Sequence, residues 1–286
     1  MVDGIEGKLD PKILVLVVHG PYEPWLSILR DGQMKTWMQE PGSLCVVNVF
    51  GKPLRSYVFK LDQQVYYLRW RKSKLVAYIS LSLEILMKTL LQVFRYKPKV
   101  KSSKHEGKIM MWQVQMLDSL LLQGVKNLAA LRESLSLDYD FLVTTITSSY
   151  INTEALKKFL KYSDKEKFLG GRIEMSGGKP YQQGSFRVFS RDVVEQLVSV
   201  SNKYKHWKIE DIALGDLARR HYKKFVDIPN LTIEKVEEVK GIDISSLSEV
   251  CSYRCKAFGD NGERVDAKIM KKLHKLIIHG KTNKLE

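Results

Sequence analysis

The run Ile13-Leu14-Val15-Leu16-Val17-Val18 constrains this chain more than any other feature. It is six consecutive aliphatic residues, four of them β-branched, closed by Gly20-Pro21. Such a run reads as a strand buried on both faces, the habit of parallel sheets. From about Trp25, apolar Ile28, Leu29 and Trp37 recur at helical spacing until Pro41-Gly42 stops them. The segment 43–51, SLCVVNVFG, is a second buried strand. Strand, helix and strand in succession make a βαβ unit with a right-handed crossover. The expectation is an α/β fold, a single Rossmann-like domain over residues 1–286 with a mostly parallel central sheet.

Downstream, residues 107–134 read as one long amphipathic helix and 139–152 as a strand that turns polar at its end. A helix follows with Thr153 as its N-cap, then a Gly-rich hairpin over 167–190. Two helices come next, one capped by Ser190 and one opening on Glu210-Asp211. Residues 230–239 read as a strand, and the tail from Cys251 as a basic loop and a basic helix.

Charge narrows the partners. The 286 residues carry a net charge of +15, but residues 51–110 hold fourteen Lys/Arg against three Asp/Glu. Basicity this local suits a patch facing an anionic partner better than a wholly basic binder. Residues 52–105 are expected to form a basic helical excursion beside the sheet. Its apolar stretch fits a core helix with basic ends, or an interfacial helix giving peripheral membrane contact through residues 69–97. Glu84 and Lys88 inside it argue against a membrane span. Cys45, Cys251 and Cys255 are too few, and odd in number, for a disulfide framework. Cys251 and Cys255 also lack the second ligand pair of a zinc site. The first apolar run has a mixed-charge flank and is too short for a secretory signal, so a soluble cytoplasmic protein is expected.

Four constellations carry chemistry, and each has a plain structural reading beside the functional one. The strand end Thr144–Ser149 crowds hydroxyls where open α/β sheets bind ligands, though Thr and Ser also cap and turn chains. Gly184-Ser185-Phe186 with Ser190-Arg191-Asp192 allows close backbone approach to a ligand, or simply turns before a helix. Glu210-Asp211 open a helix, where the dipole favours ionised carboxylates; one is a candidate general base. Tyr253, Arg254, Lys256 and Arg264 suit a diphosphate, or form a solvated basic face.

Taken in order, KILVLVVHG, RDGQMKTW, YDFLVTTITSSYIN, QQGSFRVFSRDVV and IEDIALG resemble the galactosyltransferase-like and Fringe-like glycosyltransferases. The resemblance spans roughly residues 12–275 in short islands. It implies a GT-A fold and a UDP-sugar donor of the xylose, galactose or N-acetylglucosamine class. Arg30, Thr36 and Trp37 match that family's Arg-rich segment ending in Thr-Trp. EDIALG matches its Glu-Asp-Val motif, which assigns the catalytic base to Asp211 with Glu210 beside it. The implied donor-binding residues are His19, Gly20, Arg30, Thr36, Thr145, Thr147, Ser148, Ser149, Arg254, Lys256 and Arg264. Gly184, Ser185 and Phe186 would meet a glycan or glycoprotein acceptor. The chain also resembles glycosyltransferases that large algal viruses encode to decorate their capsid glycans.

One departure matters. Ile146, Thr147 and Ser148 stand where the family has the Asp-x-Asp that holds Mn²⁺. An aliphatic residue and two hydroxyls do not replace carboxylate oxygens. No metal or other cofactor is therefore expected, and Arg254, Lys256 and Arg264 are left to offset the leaving diphosphate. The alternative is a non-catalytic basic protein that binds a nucleotide sugar or nucleic acid; under the transferase reading no nucleic acid is expected.

Overall fold

The computed structural model describes residues 9–39, 44–53, 97–104, 109–119, 122–206, 208–243 and 247–282. The helical reading of residues 69–97 falls almost wholly outside them. Strand β1 (Ile13–Val18) pairs in parallel with β2 (Leu44–Lys52) on one side and with β5 (Phe141–Ile146) on the other. The first crossover runs through α1 (Trp25–Asp31) and two 3₁₀ turns.

Outside β2 lie β4 (Ile109–Leu117), parallel, and β3 (Val100–Lys104), antiparallel. Outside β5 lie β8 (Lys179–Ser190), β7 (Leu169–Ser176) and the short β9 (Val226–Asp227). The eight-stranded order is β3-β4-β2-β1-β5-β8-β7-β9, a four-strand parallel block flanked by antiparallel pairs. A second sheet joins β10 (Asn230–Thr232), β11 (Ser252–Arg254) and β6 (Ser149–Ile151).

Every residue of β1 is buried, as its unbroken apolar run requires. Ile13, Val15 and Val17 face one core and Leu14, Leu16 and Val18 the other. The first core is closed by α1, α3 (Thr153–Lys161) and α6 (Asp266–Thr282), through residues such as Ile28, Leu156, Ile269 and Leu273. The second is closed by α2 (Gln123–Ser134), α4 (Arg191–Ser199) and α5 (Glu210–Ala218), through Leu128, Val194 and Leu214. The result is a three-layer α/β/α architecture compatible with a Rossmann-like domain. Each such side chain contributes about 1.5–3 kcal/mol by leaving water.

Several elements differ from the sequence expectation. The single helix over 107–134 is a strand, β4, and then a helix, α2. IMMWQVQML alternates with period two, burying Trp112, Val114 and Met116 on one face. The excursion over 52–105 is not helical at its described edges: β2 runs through Lys52, and residues 100–104 are the edge strand β3. Asn152, not Thr153, caps α3, its Oδ1 accepting from the Ala155 amide at 3.4 Å. The strand over 230–239 shortens to β10, and Glu237–Gly241 is a 3₁₀ turn. The expected hairpin holds: β7 and β8 join through Gly177-Gly178, both at positive φ, a conformation glycine adopts without strain.

Candidate functional site

The chain leaves β1 toward β2 on one side, and β5 lies on the other. This reversal opens a crevice at the carboxyl ends of β1 and β5, where open α/β sheets bind ligands. His19, Gly20, Thr147 and Ser148 line it as expected from sequence, joined by Tyr22, Trp25, Asp118 and Lys126. His19 is 5% exposed, with its ring 5.6 Å from that of Phe50. Its Nδ1 lies 3.0 Å from the Gly20 carbonyl, which only accepts, so Nδ1 carries the proton. Burial, foremost, lowers the His19 pKa to about 4. The ring is therefore neutral at pH 7, and its buried Nε2 is an acceptor with no hydrogen-bond partner.

The crevice floor is an ion pair that the sequence reading missed. Lys126 Nζ donates to both Asp118 oxygens at 2.9 and 3.0 Å and to the His19 carbonyl at 2.8 Å. Asp118 Oδ2 also accepts from the Gly51 amide at 2.6 Å. The pair ties together the ends of β1, β2 and β4, and both side chains are buried. Reading 107–134 as one helix hid it, because Asp118 follows the end of β4 and Lys126 lies in the first turns of α2.

A second cluster gathers where α5 begins. Glu210 and Asp211 meet Arg187, which β8 delivers from an otherwise apolar stretch, Phe186-Arg187-Val188-Phe189. The guanidinium donates to Glu210 Oε1 at 2.8 Å, to Glu210 Oε2 at 2.6 Å, and to Asp211 Oδ1. Asn127, the residue after Lys126, donates to Glu210 Oε1 at 2.7 Å. Adjacent residues of α2 thus serve the crevice and the carboxylate cluster. Gly184 is required here: a Cβ would stand 2.7 Å from Asp211 Oδ1 and 3.0 Å from Arg187 Nη2.

The two carboxyls differ in protonation. Burial pushes Glu210 up, but the Arg187 charge and hydrogen bonds from Arg187, Asp211 and Asn127 outweigh it and leave its pKa at about 2. Burial also pushes Asp211 up; the Glu210 charge and hydrogen bond reinforce this, and Arg187 only partly offsets it, leaving about 7. The sequence expectation that Asp211 stays ionised, as a helix-opening acid, is therefore corrected. Glu210 holds the fixed charge, and Asp211, 26% exposed, exchanges a proton near neutrality. Environments that push two acids apart in this way separate a fixed charge from a working acid–base.

Cations from the tail complete the surroundings. Strand β11 pairs antiparallel with β6, matching Arg254 to Ser149, and the Cys255 amide donates to the Ser148 carbonyl at 2.7 Å. Arg254 therefore lies beside the carboxyl end of β5. Its pKa is lowered by burial and then by Arg172, while Glu174 and Asp211 act in the opposite sense. Its Nε is buried without a hydrogen-bond partner. Lys256 is lowered by burial and then by Arg254 and Arg264, so the three cations share one field. Arg264 is engaged, forking onto buried Asp266 at 2.8 and 2.5 Å.

The remaining expected residues serve the scaffold. Arg30 lies on the surface, paired with Asp31. The buried Thr36 hydroxyl donates to the Gly32 carbonyl at 2.8 Å. Thr145 and Ser149 both donate to the Ser185 carbonyl, at 2.7 and 2.8 Å, and so lock β5 and β6 to β8. Ser185 donates to Gln183 at 2.6 Å, and Phe186 is a core residue. Tyr253, grouped in the sequence with the tail cations, is wholly buried edge-on against Tyr150, with ring centres 6.2 Å apart. Among the described residues no cluster of three His, Cys, Asp or Glu side chains stands ready for a metal ion. No described helix is long and apolar enough to cross a membrane. No protein-family model matches the sequence, and no curated protein matches it.

Proposed function

We propose that the protein is an inverting glycosyltransferase of the GT-A type, taking a sugar from UDP to a hydroxyl of a glycan acceptor. The observation that carries this reading is the Glu210–Asp211–Arg187 cluster. A carboxyl raised to about 7 beside a permanently ionised partner is suited to general-base work at neutral pH. In the proposed reaction an Asp211 oxygen takes the proton of the acceptor hydroxyl as the hydroxyl oxygen attacks the anomeric carbon. The bond from that carbon to the diphosphate breaks on the opposite face, and UDP leaves with the electron pair.

The crevice supports the donor half of the reading. Trp25 and Tyr22 offer aromatic faces to a flat base, and His19 Nε2 offers an acceptor for an N–H or O–H. Arg254 and Lys256 are the proposed counter-charges for the diphosphate, since preorganised cations stabilise charge that develops in the transition state. A metal-free reaction is proposed because Ile146–Ser148 bring no carboxylate, and Asp118, which lines the crevice, is committed to Lys126 and the Gly51 amide. Thermal shift with UDP and UDP-sugars tests the donor class. A bound donor at a hundred times its Kd stabilises the fold by about 2.7 kcal/mol. No shift with any uridine diphosphate compound would remove the donor assignment.

A further inference from the structure

We propose that α6 is a docking surface for an anionic lipid bilayer. Lys268, Lys271, Lys272 and Lys275 recur at i, i+3, i+4 and i+7, which sets them on one face of the helix. Lys268, Lys271 and Lys275 are exposed and Lys272 is half-buried. The opposite face is fixed inward by Ile269, Met270, Leu273 and Ile277. The lysine row therefore faces away from the sheet.

Ordinary helix stabilisation does not explain the row. Lysines near a helix C-terminus complement the macrodipole, but Lys268 is the third residue of α6, where positive charge opposes it. Among the described residues no acid pairs with any of the four. The one acid in the helix, Asp266, is buried against Arg264. The row thus presents unbalanced charge along about 10 Å of the helix.

Apolar side chains mark both ends. Phe258 is 58% exposed beside the first turn, carrying the Arg264 guanidinium at 5.4 Å from its ring centre. Ile278 is 44% exposed near the last turn. A straight helix lying along a plane, with lysines across its outer face and an apolar residue at either end, has the chemistry of a peripheral contact with anionic headgroups. Lysine stems lie along the apolar boundary while the ammonium groups reach phosphates. Exposed Lys256 extends the basic surface back toward Arg254, so docking there brings the candidate site close to the bilayer. The proposal does not depend on the transferase reading.

The test is co-sedimentation of the full chain with phosphatidylcholine vesicles and with vesicles that also contain phosphatidylserine. Binding is expected only to the anionic vesicles. It should weaken strongly between about 0.05 M and 0.5 M salt, as the Debye length contracts. Replacing the four lysines by Gln should reduce binding several hundred-fold, at roughly fivefold per basic side chain near the surface, with an unchanged circular dichroism spectrum. Phe258→Ser with Ile278→Ser should weaken binding and leave its salt dependence in place. Vesicle binding that survives the four Lys→Gln changes overturns the assignment to α6. Capture of single-stranded DNA or heparin with no binding to anionic vesicles overturns the choice of a bilayer.

Discussion

Replacing Arg187 by Met tests the carboxylate cluster at its centre. The side chains of Arg187 and Glu210 are 2% and 10% exposed, so water does not take over when the pair is broken. Glu210 would lose two charge-assisted hydrogen bonds, at 2.8 and 2.6 Å, and keep those from Asn127 and Asp211. Removing one partner of a buried pair costs about 3–5 kcal/mol, because the other charge is stranded. The pH dependence gives an independent check. In the wild type, the lowered Glu210 pKa stabilises the fold above its unfolded value of 4.5, and this is lost as pH falls toward about 2. Asp211, raised to about 7, works in the opposite sense: its contribution is complete below 3.8 and is lost as pH rises through about 7. In the variant burial acts on Glu210 without the Arg187 charge and raises it, so acidification neutralises the stranded charge. Urea unfolding should therefore show a large deficit at about pH 7 that narrows at about pH 5. A deficit below about 1 kcal/mol, the scale of a surface pair, or a deficit that does not change with pH, would refute this account of the cluster.

Other predictions concern catalysis. Asp211→Asn should lower kcat by about 10²–10⁴-fold while the fold survives, as measured by UDP release and thermal melting. In the wild type, kcat/KM should rise with pH through about 7 as Asp211 loses its proton; a profile flat from pH 5 to 9 contradicts the base assignment. Gly184→Ala should cost activity, because the added Cβ first meets Asp211 Oδ1, at 2.7 Å; equal wild-type kinetics would count against the geometry. Arg254→Ala should weaken UDP binding and lower kcat together, and transfer should persist in EDTA; strict Mn²⁺ dependence with an unaffected Arg254→Ala contradicts the proposed charge compensation.

The parallel core was legible because β1 is a continuous apolar run and β2 and β5 open on apolar runs, a signal that no amphipathic helix imitates. The strand β4 was not, because IMMWQVQML stands beside a true helix and methionine suits either period. That one misreading removed Asp118 and Lys126 from view, since their meeting depends on β4 ending just before Asp118 and a new helix beginning before Lys126. Glu210 and Asp211 were visible as a helix-opening acidic pair, but their division of roles was not. It follows from Arg187, which belongs to no local motif and is legible only as a lone cation in the apolar stretch Phe186–Phe189. The tail cations were found as a group, while Tyr253 just before them points into the core, because alternate residues of β11 face opposite sides.

The most direct test of the central claim is UDP release from UDP-sugars by the wild-type protein and by Asp211→Asn, followed in EDTA with UDP binding measured on both. The account predicts release by the wild type, its loss in the variant, and UDP affinity that is the same in the two. Equal release by both proteins, or no release and no binding with any UDP-sugar, would contradict it.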